Sequence, residues 1–212
     1  MANPDARFGL RPVRHIDGTP WNGGTVRCYI AAAYTDYALF IGDPVDIDNE
    51  LDDRVAGVMV PTVERSAFVA SKSVLGVITS FEPDGDDLSL TYRKNSTARY
   101  CNVCCDPTVI FQIRDDGGTI PGVVTIGQNA CGIYTHAGST ATGLSGLELD
   151  FSTAAVPAAD VTYPMIIVGA ADDGGNSFDG SADTRVIWEV MITSWRLLGP
   201  YQAYGARGVT AA

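Results

Sequence analysis

Apolar residues along this chain fall in short runs broken by turn-forming residues, and no stretch sustains the i, i+3, i+4 spacing of an amphipathic helix. Strand-like runs occupy residues 26–31, 37–41, 45–47, 55–63, 74–81, 88–93, 98–103 and 109–113. They continue at 122–126, 130–134, 144–149, 163–168 and 185–198. Between them lie turns with identifiable chemistry, among them Glu82-Pro83-Asp84-Gly85, Asp106-Pro107, Asp115-Asp116-Gly117-Gly118 and Asp172-Asp173-Gly174-Gly175. Proline supplies a pre-set φ there and glycine a positive one. The best helical candidate is 30–39, and 66–72 has room for one turn. Many short strands at close spacing predict an all-β fold, a compact β-sandwich or barrel of jelly-roll-like kind.

The last run alternates cleanly, setting Trp188, Val190, Ile192 and Ser194 on one face against Ile187, Glu189, Met191 and Thr193 on the other. Residues 1–24 differ in texture: Pro, Gly and Asn are frequent, and Phe8, Leu10, Val13 and Trp21 stand as isolated apolar residues. A free polar tail has no use for those four, so the segment is expected to be an extended arm that docks on a neighbouring subunit or on its own body. The expected division is an arm at 1–24, a β-rich body at 25–198 and a second extended tail at 199–212.

Charge excludes one class of partner. The chain of 212 residues carries a net charge of −11 with a pI near 4.4, and a nucleic-acid binder needs a positive face to release counterions. Residues 1–27 contain Arg7, Arg11, Arg14 and Arg27 against Asp5 and Asp17, so a mildly basic arm leads an acidic body. Of 14 basic residues only Lys72 and Lys94 are lysines; arginine is the cation suited to bidentate and stacked contacts at interfaces. No run reaches the roughly 18 apolar residues of a membrane span, and the N-terminus lacks the apolar centre of a signal peptide. A soluble protein made in a cytoplasm is the expectation, with no membrane and no nucleic acid among its partners.

Candidate chemistry is sparse. Cys101, Cys104 and Cys105, with Cys28 and Cys131 elsewhere, invite a zinc or redox reading. Yet Cys101 and Cys104 lie in a strand-like run, where alternation points them to opposite faces, and zinc needs its sulfurs gathered by a tight turn. Buried reduced thiols are expected. The acidic stretch 43–53 hints at calcium, but from Asp46 the sixth position is Leu51 and the twelfth Gly57, which breaks the EF-hand pattern. Gly143-Leu144-Ser145-Gly146-Leu147 approaches a nucleophile elbow and has leucine where the last glycine belongs. Histidine occurs at His15 and His136 only. The residues supply no catalytic set, no cofactor site and no metal site, and the protein is read as not an enzyme.

Three blocks resemble a family: small virion proteins of tailed bacteriophages, the capsid cement or decoration proteins. The first is Phe8-Gly9-Leu10-Arg11-Pro12-Val13-Arg14-His15 with Trp21-Asn22-Gly23. A second runs from Gly76-Val77-Ile78-Thr79-Ser80-Phe81-Glu82-Pro83 to Tyr92-Arg93, continuing with Thr97-Ala98-Arg99-Tyr100 to Phe111, and the third is Thr142-Gly143-Leu144-Ser145-Gly146-Leu147-Glu148-Leu149-Asp150. The resemblance implies an accessory protein on the outer surface of the virion capsid, a homotrimer (a dimer being the runner-up) that binds the major capsid protein and braces the shell. The expected coat contact is Phe8, Leu10, Arg11, Val13, Arg14 and Trp21. The alternatives are a tail-associated or receptor-binding β module and, third, a glycan- or peptide-acting hydrolase.

Overall fold

The computed structural model describes residues 6–48, 60–118, 125–152, 156–172, 176 and 185–196, and the protein is all-β. Among the described residues there are twelve strands: β1 Arg11–His15, β2 Val26–Ile30, β3 Pro44–Ile47, β4 Val63–Arg65, β5 Gly76–Phe81, β6 Arg99–Cys104, β7 Val109–Arg114, β8 Asn129–Ala130, β9 Gly132–Ile133, β10 Glu148–Leu149, β11 Met165–Ala170 and β12 Ile187–Ile192. They form two five-stranded antiparallel sheets. Sheet I has the order β1-β7-β12-β11-β8, sheet II the order β2-β6-β5-β3-β4, and β9 and β10 make a small separate pair.

Two cores follow from strand alternation. The first lies between the sheets: Val109, Phe111 and Ile113 of β7, Trp188, Val190 and Ile192 of β12, and Met165 and Ile167 of β11 meet Val77 and Cys104 of sheet II. The second covers the opposite face of sheet II, where Cys28, Ile30, Val45, Ile78, Cys101 and Val103 pack under Tyr34 and Leu39. Sheet II is therefore covered on both sides, Val77 and Cys104 facing one core and Ile78, Cys101 and Val103 the other. Cys101 and Cys104 belong to different cores, as the alternation predicted.

Buried arginines replace strand pairing in the long excursion between β5 and β6. Arg93 is 0 % exposed and donates to the carbonyls of Ala31, Tyr34, Tyr37 and Thr97. Arg99 donates to those of Glu82, Leu90 and Tyr92. A guanidinium offers five donors in a rigid fork, so one side chain satisfies carbonyls that a neighbouring strand would otherwise take. The expected strand at 88–93 is corrected accordingly: only Arg93 makes a bridge, to Leu39. The helical candidate at 30–39 is likewise turn and loop, held by the same clamp.

Other expectations shrink in length. Residues 37–41 make single bridges at Leu39 and Ile41, residues 144–149 reduce to β10, and the last strand is β12 alone. The expected runs at 55–63 and 122–126 fall partly outside the described residues, the tail at 199–212 wholly so. Within the arm, β1 pairs antiparallel with β7, Arg11 opposite Gln112 and His15 opposite Val109. The arm thus docks on its own body. Pro12 is tolerated because β1 is an edge strand of sheet I, where a missing N–H costs no ladder bond.

Candidate functional site

The arm crosses the body at a backbone-to-backbone contact. Gly9 and Gly42 both have positive φ, +68° and +94°, and a Cβ on Gly9 would lie 2.6 Å from the Gly42 carbonyl oxygen and 2.6 Å from the Ser145 Cβ. Only glycine permits that approach and that conformation together. Around it the Leu10 N–H donates to the Gly42 carbonyl (3.0 Å), the Gly42 N–H to Ile78 (2.8 Å), and the Ser145 N–H to Ile41 (2.8 Å). Four segments distant in sequence are thereby tied at one point.

Beneath the crossing sits a buried carboxylate. Asp43 accepts from the Ser145 hydroxyl, from the Phe40 N–H at 2.8 Å and from the Tyr134 hydroxyl at 3.2 Å. Burial pushes its carboxyl up to about 6, while those hydrogen bonds and the charge of Arg65 pull the other way. Arg65 itself lies over the rings of Tyr37 and Tyr134, 3.4 Å and 4.2 Å from their centroids. Ser145, the serine of the elbow-like sequence, is buried and holds this turn: its oxygen also accepts from the Leu147 N–H at 3.0 Å.

A groove of about 550 Å³ opens beside the crossing, within the size range of about 300–1,000 Å³ usual for binding sites. Phe8, Leu10, Arg11, Pro12, Trp21 and Gly23 line one side. Ile78, Thr79, Ser80 and Asn102 of sheet II line another, and Ile41, Leu144 and Thr25 complete it. The polar wall is internally satisfied in part: Asn102 donates its amide to Ser80 at 3.0 Å, and Thr79 donates to the Asn102 carbonyl at 3.1 Å. Two cationic or donor groups are left over. Arg11 is exposed, stacks on Phe8 at 4.8 Å and bonds the Gln112 amide at 2.5 Å, and among the described residues no carboxylate pairs with it. The buried indole N–H of Trp21 has no acceptor among the described residues.

The six expected contact residues are divided by the fold. Leu10 is 1 % exposed and belongs to the inter-sheet core, so it offers no surface to a partner. Phe8, Arg11 and Trp21 come together on the groove. Val13 is half-buried in β1, and Arg14 is half-buried and ion-paired with Glu189 at 2.6 Å. Sequence reasoning missed the sheet II wall, because Ser80 and Asn102 announce themselves only once β5 and β6 are paired.

The remaining titratable groups serve the frame. Glu148, buried, accepts from the Thr135 hydroxyl and pairs with Arg7 at 3.0 Å and Arg185 at 3.4 Å. Asp115 takes the Trp188 indole N–H at 2.9 Å and the Val186 N–H at 3.0 Å. Burial raises every thiol, Cys28 and Cys105 to about 12 and Cys104 and Cys131 to about 11. Cys28 faces Cys101 across β2 and β6, and among the described residues no group of three His, Cys, Asp or Glu side chains is placed to hold a metal. Asp46, from the calcium-like stretch, is taken by Arg196 at 2.7 and 2.8 Å, and residues 49–53 of that stretch lie outside the described residues. Comparison with protein-family models, curated proteins and solved structures finds no match to this chain.

Proposed function

We propose that this chain is an accessory structural protein of a tailed-phage capsid, a cement or decoration protein that binds the major capsid protein on the outer surface of the assembled shell. One observation carries the reading. The three blocks that resemble such virion proteins supply every lining residue of the groove except Thr25 and Ile41. Residues from blocks far apart in sequence meet along one groove, which carries an arginine and two aromatic rings. Those are the residue types that dominate binding energy at protein interfaces.

Shell contacts come from the arm residues that the body leaves accessible, Phe8, Arg11, Val13, Arg14 and Trp21, with Leu10 removed from the set. A net charge of −11 keeps the body off packaged nucleic acid. Stabilisation of the shell then follows from binding the closed lattice more tightly than its separated capsomers, since any ligand of the assembled state shifts the equilibrium toward it.

The test is stoichiometry. Particles purified from infected cells should carry the protein in hundreds of copies, comparable with the coat, and particles made without it should rupture at lower temperature. A few copies per particle, or tens, would assign it to the tail instead, and its absence from particles would remove the capsid role.

A further inference from the structure

Among the described residues one large apolar side chain is far more exposed than the rest: Leu88, at 82 %. A single exposed leucine means little by itself. This one is presented on a shaped base. Asp84, Asp86 and Asp87 precede it in the loop Pro83-Asp84-Gly85-Asp86-Asp87-Leu88-Ser89. The Asp84 carboxylate holds the Asp86 N–H at 3.0 Å, and the Asp87 carboxylate holds the Ser89 N–H at 3.1 Å. Arg99 pins the carbonyls of Glu82, Leu90 and Tyr92 at the loop's base. The result is an acidic knob with an apolar tip, fixed before any partner arrives.

The groove has the complementary features. Phe8, Ile41, Leu144 and the ring of Trp21 give it apolar lining, and Arg11 stands at it with no carboxylate partner among the described residues. An occupant that brings a leucine and carboxylates would satisfy both at once. We propose that the groove binds the 84–88 loop of a second copy of this chain. Within one copy the knob stays out of its own groove, as the exposure of Leu88 requires. Knob and groove are different surfaces, so the contact is heterologous: each copy gives its knob to the next, and the series closes into a ring if the rotation permits. The inference needs no coat protein, and it claims Phe8, Arg11 and Trp21, three of the residues given above to the shell. If both hold, the coat contact falls to Val13, Arg14 and the exposed Ile16 at the tip of the arm's hairpin.

Sedimentation velocity of the purified full-length protein over a range of concentrations tests this, with Leu88→Ser, Arg11→Glu and Asp86→Arg as variants. All three positions are exposed, and thermal melts check that each variant folds. The wild type should self-associate, with Leu88→Ser and Arg11→Glu each weakening association by about 30-fold or more, the loss expected for one buried leucine. Arg11→Glu and Asp86→Arg should each fail alone and associate when mixed, since the swap restores opposite charges at both contacts. A wild type that remains monomeric, variants that associate as well as wild type, or a mixture that stays dissociated would each overturn the proposal. Arg11→Glu abolishing capsid binding from a protein that is monomeric throughout would hand the groove to the coat.

Discussion

Asp43→Asn separates the buried carboxylate's charge from its hydrogen bonds. In the folded protein the Asp43 carboxyl is raised to about 6 from an ordinary value of 3.8, so the unfolded chain loses its proton first as pH rises. Between those two values the folded state holds more protons, and stability falls with increasing pH. The contribution is fully present below the unfolded pKa and is lost above the folded one. An offset of about two pKa units corresponds to about 3 kcal/mol, of which about 2.5 kcal/mol falls between about pH 4 and pH 7.5. The substitution removes this slope. It also sets an amide NH2 among donors from Ser145, Phe40 and Tyr134, which costs about 1–3 kcal/mol at every pH. The D43N protein should therefore be clearly less stable than wild type near pH 4 and close to it near pH 7.5. Urea titrations across that range read the difference directly, and other carboxylates cancel in the comparison. Stability profiles that run parallel within about 1 kcal/mol would refute the assignment of a raised, titrating Asp43.

Arg99→Met should leave three carbonyls of the excursion unpaired, lowering stability by about 3 kcal/mol and accelerating hydrogen exchange over 82–92. Gly9→Ala forces a Cβ against the Gly42 carbonyl and Ser145 at a positive φ; a loss of about 2–3 kcal/mol in chemical denaturation is expected, with the arm's exchange protection falling first. Trp188→Phe keeps the ring near Phe151 but removes the indole N–H from Asp115, and a loss of about 2 kcal/mol should appear in the same assay. Deleting 1–24 removes β1 from sheet I, so the truncated protein should be broadly destabilised, and loss of shell binding by that deletion would not isolate the arm's contacts.

The strands with strict alternation were legible because period two is enforced by burial on one side. β12 shows it directly: Trp188, Val190 and Ile192 enter the core while Glu189 and Met191 stay half-covered. Cys101 and Cys104 were resolved into opposite faces by the same rule. The 88–93 run failed because Arg99, reaching in from β6, takes the carbonyls of Leu90 and Tyr92, and a side chain that replaces a ladder leaves no periodicity to read. β1 was read as an extended docking segment, but its partner β7 lies about a hundred residues away, and nothing local names a partner at that distance. The groove was invisible for the same reason, being assembled from six separate stretches, while its arm side was visible in Phe8, Arg11 and Trp21.

The two sheets differ in when they can exist during synthesis. Sheet II draws all its strands from residues 26–104, so it is complete in sequence once residue 104 has been made. Sheet I places β7 between the first strand and the last, β1 and β12. It cannot close until residue 192 has left the ribosome. Until then the inter-sheet face of sheet II, with Val77 and Cys104, lacks the cover that β12 brings. The nascent chain therefore carries an exposed apolar surface while residues 105–192 are being made, and that interval, more than the stability of the finished fold, is when this protein is most open to aggregation or to capture by a chaperone.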